Sequence, residues 1–197
     1  MDALIRQRLE QQIAFIVEID KAKAILRTSK HIHGEVLEND AEHSWYLAMM
    51  AVVLAEYAGE TVDITRVIRM VLIHDLVEID AGDTDAYDQD GQNTRVSREQ
   101  LAAQRVFGLL PDDIGDELRE LWEEFEARET ADAKFAAALD RMPGILLGAH
   151  RADTCWNDRA IDEIKARHRP IGDASTVLWE YAEGVIDRFA RNRTGAA

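Results

Sequence analysis

Apolar residues recur three and four positions apart along most of the chain, the period of helices packed on one side. Ile5, Leu9, Ile13, Ile16 and Val17 share one face, so a first helix is predicted from about Ala3 to Leu26. Polar residues from Arg27 to Asp40 read as a loop. A second helix is predicted from near Ala41 to before Gly59; its apolar residues lie on nearly every side, as in a buried central helix. Asp63 is a predicted N-cap for a third, with Ile64, Val67, Ile68, Val71 and Leu72 behind it and Ile73-His74-Asp75-Leu76 at its end. Ala81 to Val96 is polar, holds Gly82 and Gly91, and reads as a long loop of the kind that often carries function. Ser97 with Gln100 suggests a capping box for a helix up to Leu110. Further helices are predicted at Pro111–Ala127, Ala131–Arg141, Ile145–Ala149, Asn157–His168 and Ala174–Arg191, with Pro111, Pro143 and Pro170 at the breaks. No stretch alternates with period two, so the fold class is all-α.

Composition narrows the function classes. The 197 residues suit one domain, and 47% apolar with 31% charged is ordinary for a globular protein. A net charge of −15 speaks against a nucleic-acid polymer or an anionic membrane as partner. No apolar run approaches the ~20 residues of a membrane span. Cys155 is the single cysteine, which excludes an intrachain disulfide, and the opening Met1-Asp2-Ala3-Leu4 shows no signal-peptide pattern. A cytoplasmic protein is expected.

Four polar residues interrupt core-like helical patterns: His43, His74, Asp75 and Asp140. Buried polar groups need partners, and one cation can satisfy several. Two imidazoles with two carboxylates suit Mn²⁺, Fe²⁺, Co²⁺, Ni²⁺ or Zn²⁺. A His-Asp dipeptide alone means little, since chance gives about 0.6 in a chain of this composition; the ordered set carries the argument. Glu78 follows Asp75 by three and His74 by four, so a continuing helix would place them on one face. Gly82 allows a turn that returns Asp83 to the same place.

The run from His74 to Thr84, His-Asp-Leu-Val-Glu-Ile-Asp-Ala-Gly-Asp-Thr, preceded by Ala41-Glu-His-Ser-Trp45, resembles the HD-domain metal-dependent phosphohydrolases, and within them the 5′-deoxynucleotidase-like branch. Phe107–Pro111, Leu121–Glu129 and Ala138–Met142 extend the likeness over about Leu26 to Trp156. The resemblance implies an HD-domain helical bundle: one domain over residues 1–197, core about 26–156, flanked by helices in 1–25 and 157–191. It implies a single divalent cation held by His43, His74, Asp75 and Asp140, which could equally be Mg²⁺. It makes Glu78 the water-activating carboxylate and Asp83 a second acid needed for activity. Arg27 falls where the nucleotidases carry a pocket arginine, and Lys30 could share the phosphate charge. Thr28 stands where the best-studied branch has tryptophan, and Val36-Leu37 stands before Glu38-Asn39 where a basic residue is frequent.

The implied reaction is hydrolysis of a nucleoside 5′-monophosphate. Di- or triphosphates and specialised analogues are the nearest alternative. The extra histidines of HD phosphodiesterases are missing between Asp75 and Asp140. A non-catalytic metal-containing nucleotide-binding or regulatory protein is the rival of another class; it would not need Glu78. His31 and His33 read as exposed loop residues, and His150 and His168 as structural. Trp122, Trp156 and Trp179 read as packing, and Cys155 has no nucleophile's surroundings. The resemblance also implies a homodimer, and Val177, Leu178, Tyr181, Val185 and Phe189 give the last helix an apolar face for it or for the chain's own core.

Overall fold

The computed structural model describes residues 2–84 and 89–194. Its helices are α1 (Ala3–Ile19), α2 (Asp40–Val53), α3 (Ile64–Ile73), α4 (Glu78–Ala81), α5 (Gln89–Phe107), α6 (Asp112–Ala127), α7 (Ala131–His150), α8 (Ile161–His168), α9 (Ile171–Ala174) and α10 (Thr176–Thr194). The all-α reading holds, with one small exception. Strands β1 (Leu26–Lys30) and β2 (Leu37–Asn39) pair antiparallel, Leu26 opposite Asn39 and Lys30 opposite Leu37.

α7 is the central element and touches α2, α3, α6, α9 and α10. Its run Ala136-Ala137-Ala138-Leu139 is buried, and the small side chains let neighbouring helices come close. α2 and α3 pack side by side against it. Asn39 caps α2 through a full capping box with Glu42, and Asp63 caps α3 by accepting from the Thr65 and Arg66 N–H groups.

Several boundaries differ from the sequence reading. The first helix ends at Ile19; a 3₁₀ turn, Asp20–Ala24, follows, and Leu26 opens the hairpin. The polar stretch 27–40 is that hairpin, too short and irregular to show alternation. Most of α1's stripe is exposed: Ile5, Leu9, Ile13, Ile16 and Val17 face outward and Phe15 alone in α1 is buried. α2 has an outer face too, since Trp45, Met49, Val52 and Val53 are exposed. The predicted loop 81–96 is helical from Gln89, while residues 85–88 lie outside the described residues. Ser97 is therefore interior to α5, and its hydroxyl donates to the Thr94 carbonyl rather than capping a helix. The two predicted helices around Pro143 are one, α7, whose burial outweighs the lost N–H bond. α8 starts only at Ile161, and the last helix, α10, starts at Thr176, after a separate short α9 that ends at Ala174. In α10, Leu178 and Val185 are core residues while Val177 and Tyr181 are exposed.

Candidate metal centre and active site

A cavity of about 630 Å³ opens beside α7, and His43, His74, Asp75, Glu78, Asp83, Asp140, Arg27 and Lys30 all line it. Every sequence-predicted site residue therefore reaches one space. α2 carries His43 on its first turn. His74 is the C-cap of α3, so the helix stops there and does not continue through Glu78. Tight turns take over, with the Glu78 N–H donating to the Asp75 carbonyl at 2.9 Å. Gly82 has φ +73°, a conformation open to glycine, and turns the chain before Asp83.

The two buried histidines are set the same way. His74 Nδ1 lies 3.0 Å from the Val71 carbonyl, which can only accept, so the proton sits on Nδ1. His43 Nδ1 lies 3.1 Å from Glu38 Oε2 and donates likewise. In both neutral rings Nε2 is then a bare lone pair, and both face the same carboxylates. Asp140 Oδ1 is 3.1 Å from His43 Nε2 and 3.6 Å from His74 Nε2. Asp75 Oδ2 is 3.1 Å from His74 Nε2, yet out of line, so that buried nitrogen has no hydrogen-bond partner. Four acceptors converging with no proton between them fit a cation. His43, His74, Asp75 and Asp140 would hold it.

The same carboxylates also attract a second proton to each imidazole, in competition with a cation. Burial opposes charging His43 and His74, but the Asp140, Asp75 and Glu38 carboxylates outweigh it and raise both. Burial likewise opposes ionising Asp75 and Asp140, and the two imidazoles, with Arg27 for Asp75, hold them well below the usual range. Arg27 donates to Asp75 Oδ2 at 2.6 Å and to Asp40 Oδ1 at 3.3 Å, so positive charge already sits beside the cluster. Glu78 is pushed up to about 10 by burial first and then by Asp75 and Asp40.

Asp40 was missed. It is buried, its Oδ2 is unpartnered, and its carboxylate lies within 4.8 Å of those of Asp75 and Glu78. In the sequence it reads only as a first-turn acid of α2. Glu38, which orients His43, was missed for a similar reason: it sits in the stretch read as a loop. Lys30 does line the cavity, but its ammonium is already held by Glu35 and by Asp153, the latter at 3.0 Å. His31 pairs with Glu42 at 3.0 Å, and neither it nor His33 lines the cavity.

With this geometry established, comparison with known proteins decides the family. The HD domain profile matches residues 19–179. The chain belongs to the HD domain family. The human 5′-deoxynucleotidase HDDC2 is 34% identical over 116 residues, 59% of this chain and 55% of that protein, so the chain spans about half the length of that relative. The mouse 5′-deoxynucleotidase HDDC2 is 31% identical over 72% of this HD chain and 70% of its own. A predicted metal-dependent phosphohydrolase from Magnetospirillum magnetotacticum MS-1, known by crystal structure, is 47% identical with a TM-score of 0.88, covering 95% of this chain and 97% of that one. The PH0347 protein from Pyrococcus horikoshii OT3 shares the HD fold at 23% identity, TM-score 0.65, covering 91% and 98%. Among the described residues no helix is long and apolar enough to cross a membrane.

Proposed function

We propose that this HD-family chain is a divalent-metal-dependent phosphohydrolase that removes phosphate from nucleoside 5′-monophosphates. The convergence of the two bare Nε2 atoms on Asp75 and Asp140, with Glu78 within carboxylate contact of Asp75, is the observation that carries it. The names of the relatives support the substrate class.

A bound cation would supply Lewis-acid polarisation of a phosphate oxygen and a water of lowered pKa. Glu78 accepts the proton of the attacking water as the new oxygen–phosphorus bond forms and the bond to the nucleoside oxygen breaks. Its raised pKa comes partly from Asp75; with that carboxylate neutralised, Glu78 ionises more readily and can act as base. Asp83, on the same wall, orients the water or gives a proton to the leaving oxygen. Arg27 shifts part of its charge from Asp75 to the phosphate. Lys30 contributes at the rim.

One cation per chain, a single domain over residues 1–197 and a cytoplasmic location belong to the same reading. Packing of α10 on α7, α8 and α9 supports the single domain. We also propose a homodimer. α1 exposes Leu4, Ile5, Leu9, Ile13, Ile16 and Val17, a patch that a second copy would cover. The test of function is phosphate release from ribo- and deoxyribonucleoside mono-, di- and triphosphates with Co²⁺, Mn²⁺ or Mg²⁺ added. Release from monophosphates is expected; silence across the panel with metal loaded would sink the reading.

A further inference from the structure

The cavity has a second wall that phosphate hydrolysis alone leaves unexplained. Arg128 from the end of α6 and Arg141 from α7 both line it, with Arg167, Gly144 and His168 beside them. Arg141 is one position past Asp140, about 100° round the helix, so it serves a neighbouring strip of the cavity. Its Nη1 donates to the Ala137 carbonyl at 2.7 Å and its Nε to the Arg167 carbonyl at 3.3 Å, while Nη2 has no partner among the described residues. Arg128 holds φ +54°, and its Nε is buried without a hydrogen bond.

Neither arginine has a carboxylate within ion-pair distance among the described residues, in a chain with 38 acids against 23 lysines and arginines. Arg8, Arg66, Arg69, Arg95, Arg105 and Arg151 each have one. Asp140 and Asp173 act on Arg141 only from beyond ion-pair distance, and two guanidinium groups set together without a paired carboxylate favour the entry of an anion. Burial, then Arg128, lowers the Arg141 pKa. His168 adds no charge: its Nδ1 is committed to the Ile164 carbonyl at 2.8 Å, and burial holds it neutral.

We propose that Arg128 and Arg141 form a second anion site, which receives an oxyanion group of the substrate other than the phosphate being cleaved. The preferred substrate is then a phosphomonoester bearing a second phosphate or a carboxylate. This rests on the phosphohydrolase reading for its kinetics and on the arginine pair for its binding.

The metal-loaded enzyme should be assayed on 2′-deoxyadenosine 5′-monophosphate, adenosine 3′,5′-bisphosphate, adenosine 5′-diphosphate and a 5′-monophosphate with a carboxylate on its base. At least one doubly anionic compound should exceed the monophosphate in kcat/KM by about tenfold or more, as charge-assisted hydrogen bonds allow. R141M and R128N should bring that ratio towards one, and R141K should restore part of it. Asparagine tolerates the Arg128 backbone, and thermal melts check folding. If the monophosphate is hydrolysed, no advantage for any doubly anionic compound, or an equal loss on all substrates in R141M, overturns the proposal. Calorimetry of adenosine 3′,5′-bisphosphate on the metal-free protein reads the site separately. Binding that weakens about tenfold in R141M supports it even if no nucleotide is hydrolysed; binding unchanged in both variants overturns it.

Discussion

At the scale of single residues, Glu78 gives the sharpest expectation. Glu78→Gln keeps the shape but cannot take a proton, so kcat should fall by roughly 100-fold or more, in the range of lost general-base catalysis. Metal content, measured by plasma emission, should stay at the wild-type level. Asp140→Ala should instead lose the metal, because both Nε2 atoms face that carboxylate. His168 makes a prediction about stability. Burial lowers it to about 4, from 6.5. Between those values the unfolded chain binds the proton and the folded one does not, so stability falls as pH drops through that window, by up to ~3 kcal/mol. Melting temperatures from pH 7 to pH 4 should fall, and His168→Met should flatten that part of the slope.

At the scale of elements, Gly148 decides how α7 meets its neighbours. An added Cβ would stand 2.0 Å from the Trp156 ring, which is itself fully buried. Glycine to alanine in a helix normally gains about 1 kcal/mol. Overpacking a core costs about 1–3 kcal/mol, so the clash should win and Gly148→Ala should melt lower than wild type. Elements also mark where sequence reading succeeds. α3, with its Asp63 cap and apolar stripe, was legible because local signals and packing agree. The convergence of His43, His74, Asp75 and Asp140 on one cavity was legible because polar residues in apolar patterns stand out. α2's outer face was not, because exposed Trp45 and Val52 look the same in sequence as buried ones. The 26–39 hairpin was hidden by its length, since three to five residues carry too little alternation. Arg128 and Arg141 escaped notice because only the fold shows that both line the cavity without an ion-paired carboxylate among the described residues.

At the scale of the whole molecule, the charge and the apolar surface divide the work. Asp112 to Asp132 carries ten acids against Arg119 and Arg128, more than half of the net −15. Part of that charge holds elements together: Asp113 binds Arg8 of α1 at 2.7 Å, and Glu117 and Glu124 bind Arg69 and Arg66 of α3. Such exposed pairs contribute little each. α1 nevertheless leaves Leu4, Ile5, Leu9, Ile13, Ile16 and Val17 exposed, the area that the proposed second copy would cover. Light scattering should give the mass of a dimer, and Ile13→Asp with Ile16→Asp should give that of a monomer; a wild-type monomer at micromolar concentration would remove the dimer.

Arg151 links distant parts of this molecule. Its largely buried side chain reaches from the end of α7 to the His31 carbonyl at 3.0 Å and Glu35 at 3.0 Å, and it also binds the Gly34 carbonyl. The hairpin that carries Arg27 is thereby riveted to the helix that carries Asp140. Loosening the rivet, as in Arg151→Ala, should be felt two ways at once: faster hydrogen exchange through 26–39, and a cavity whose two sides no longer hold a fixed spacing.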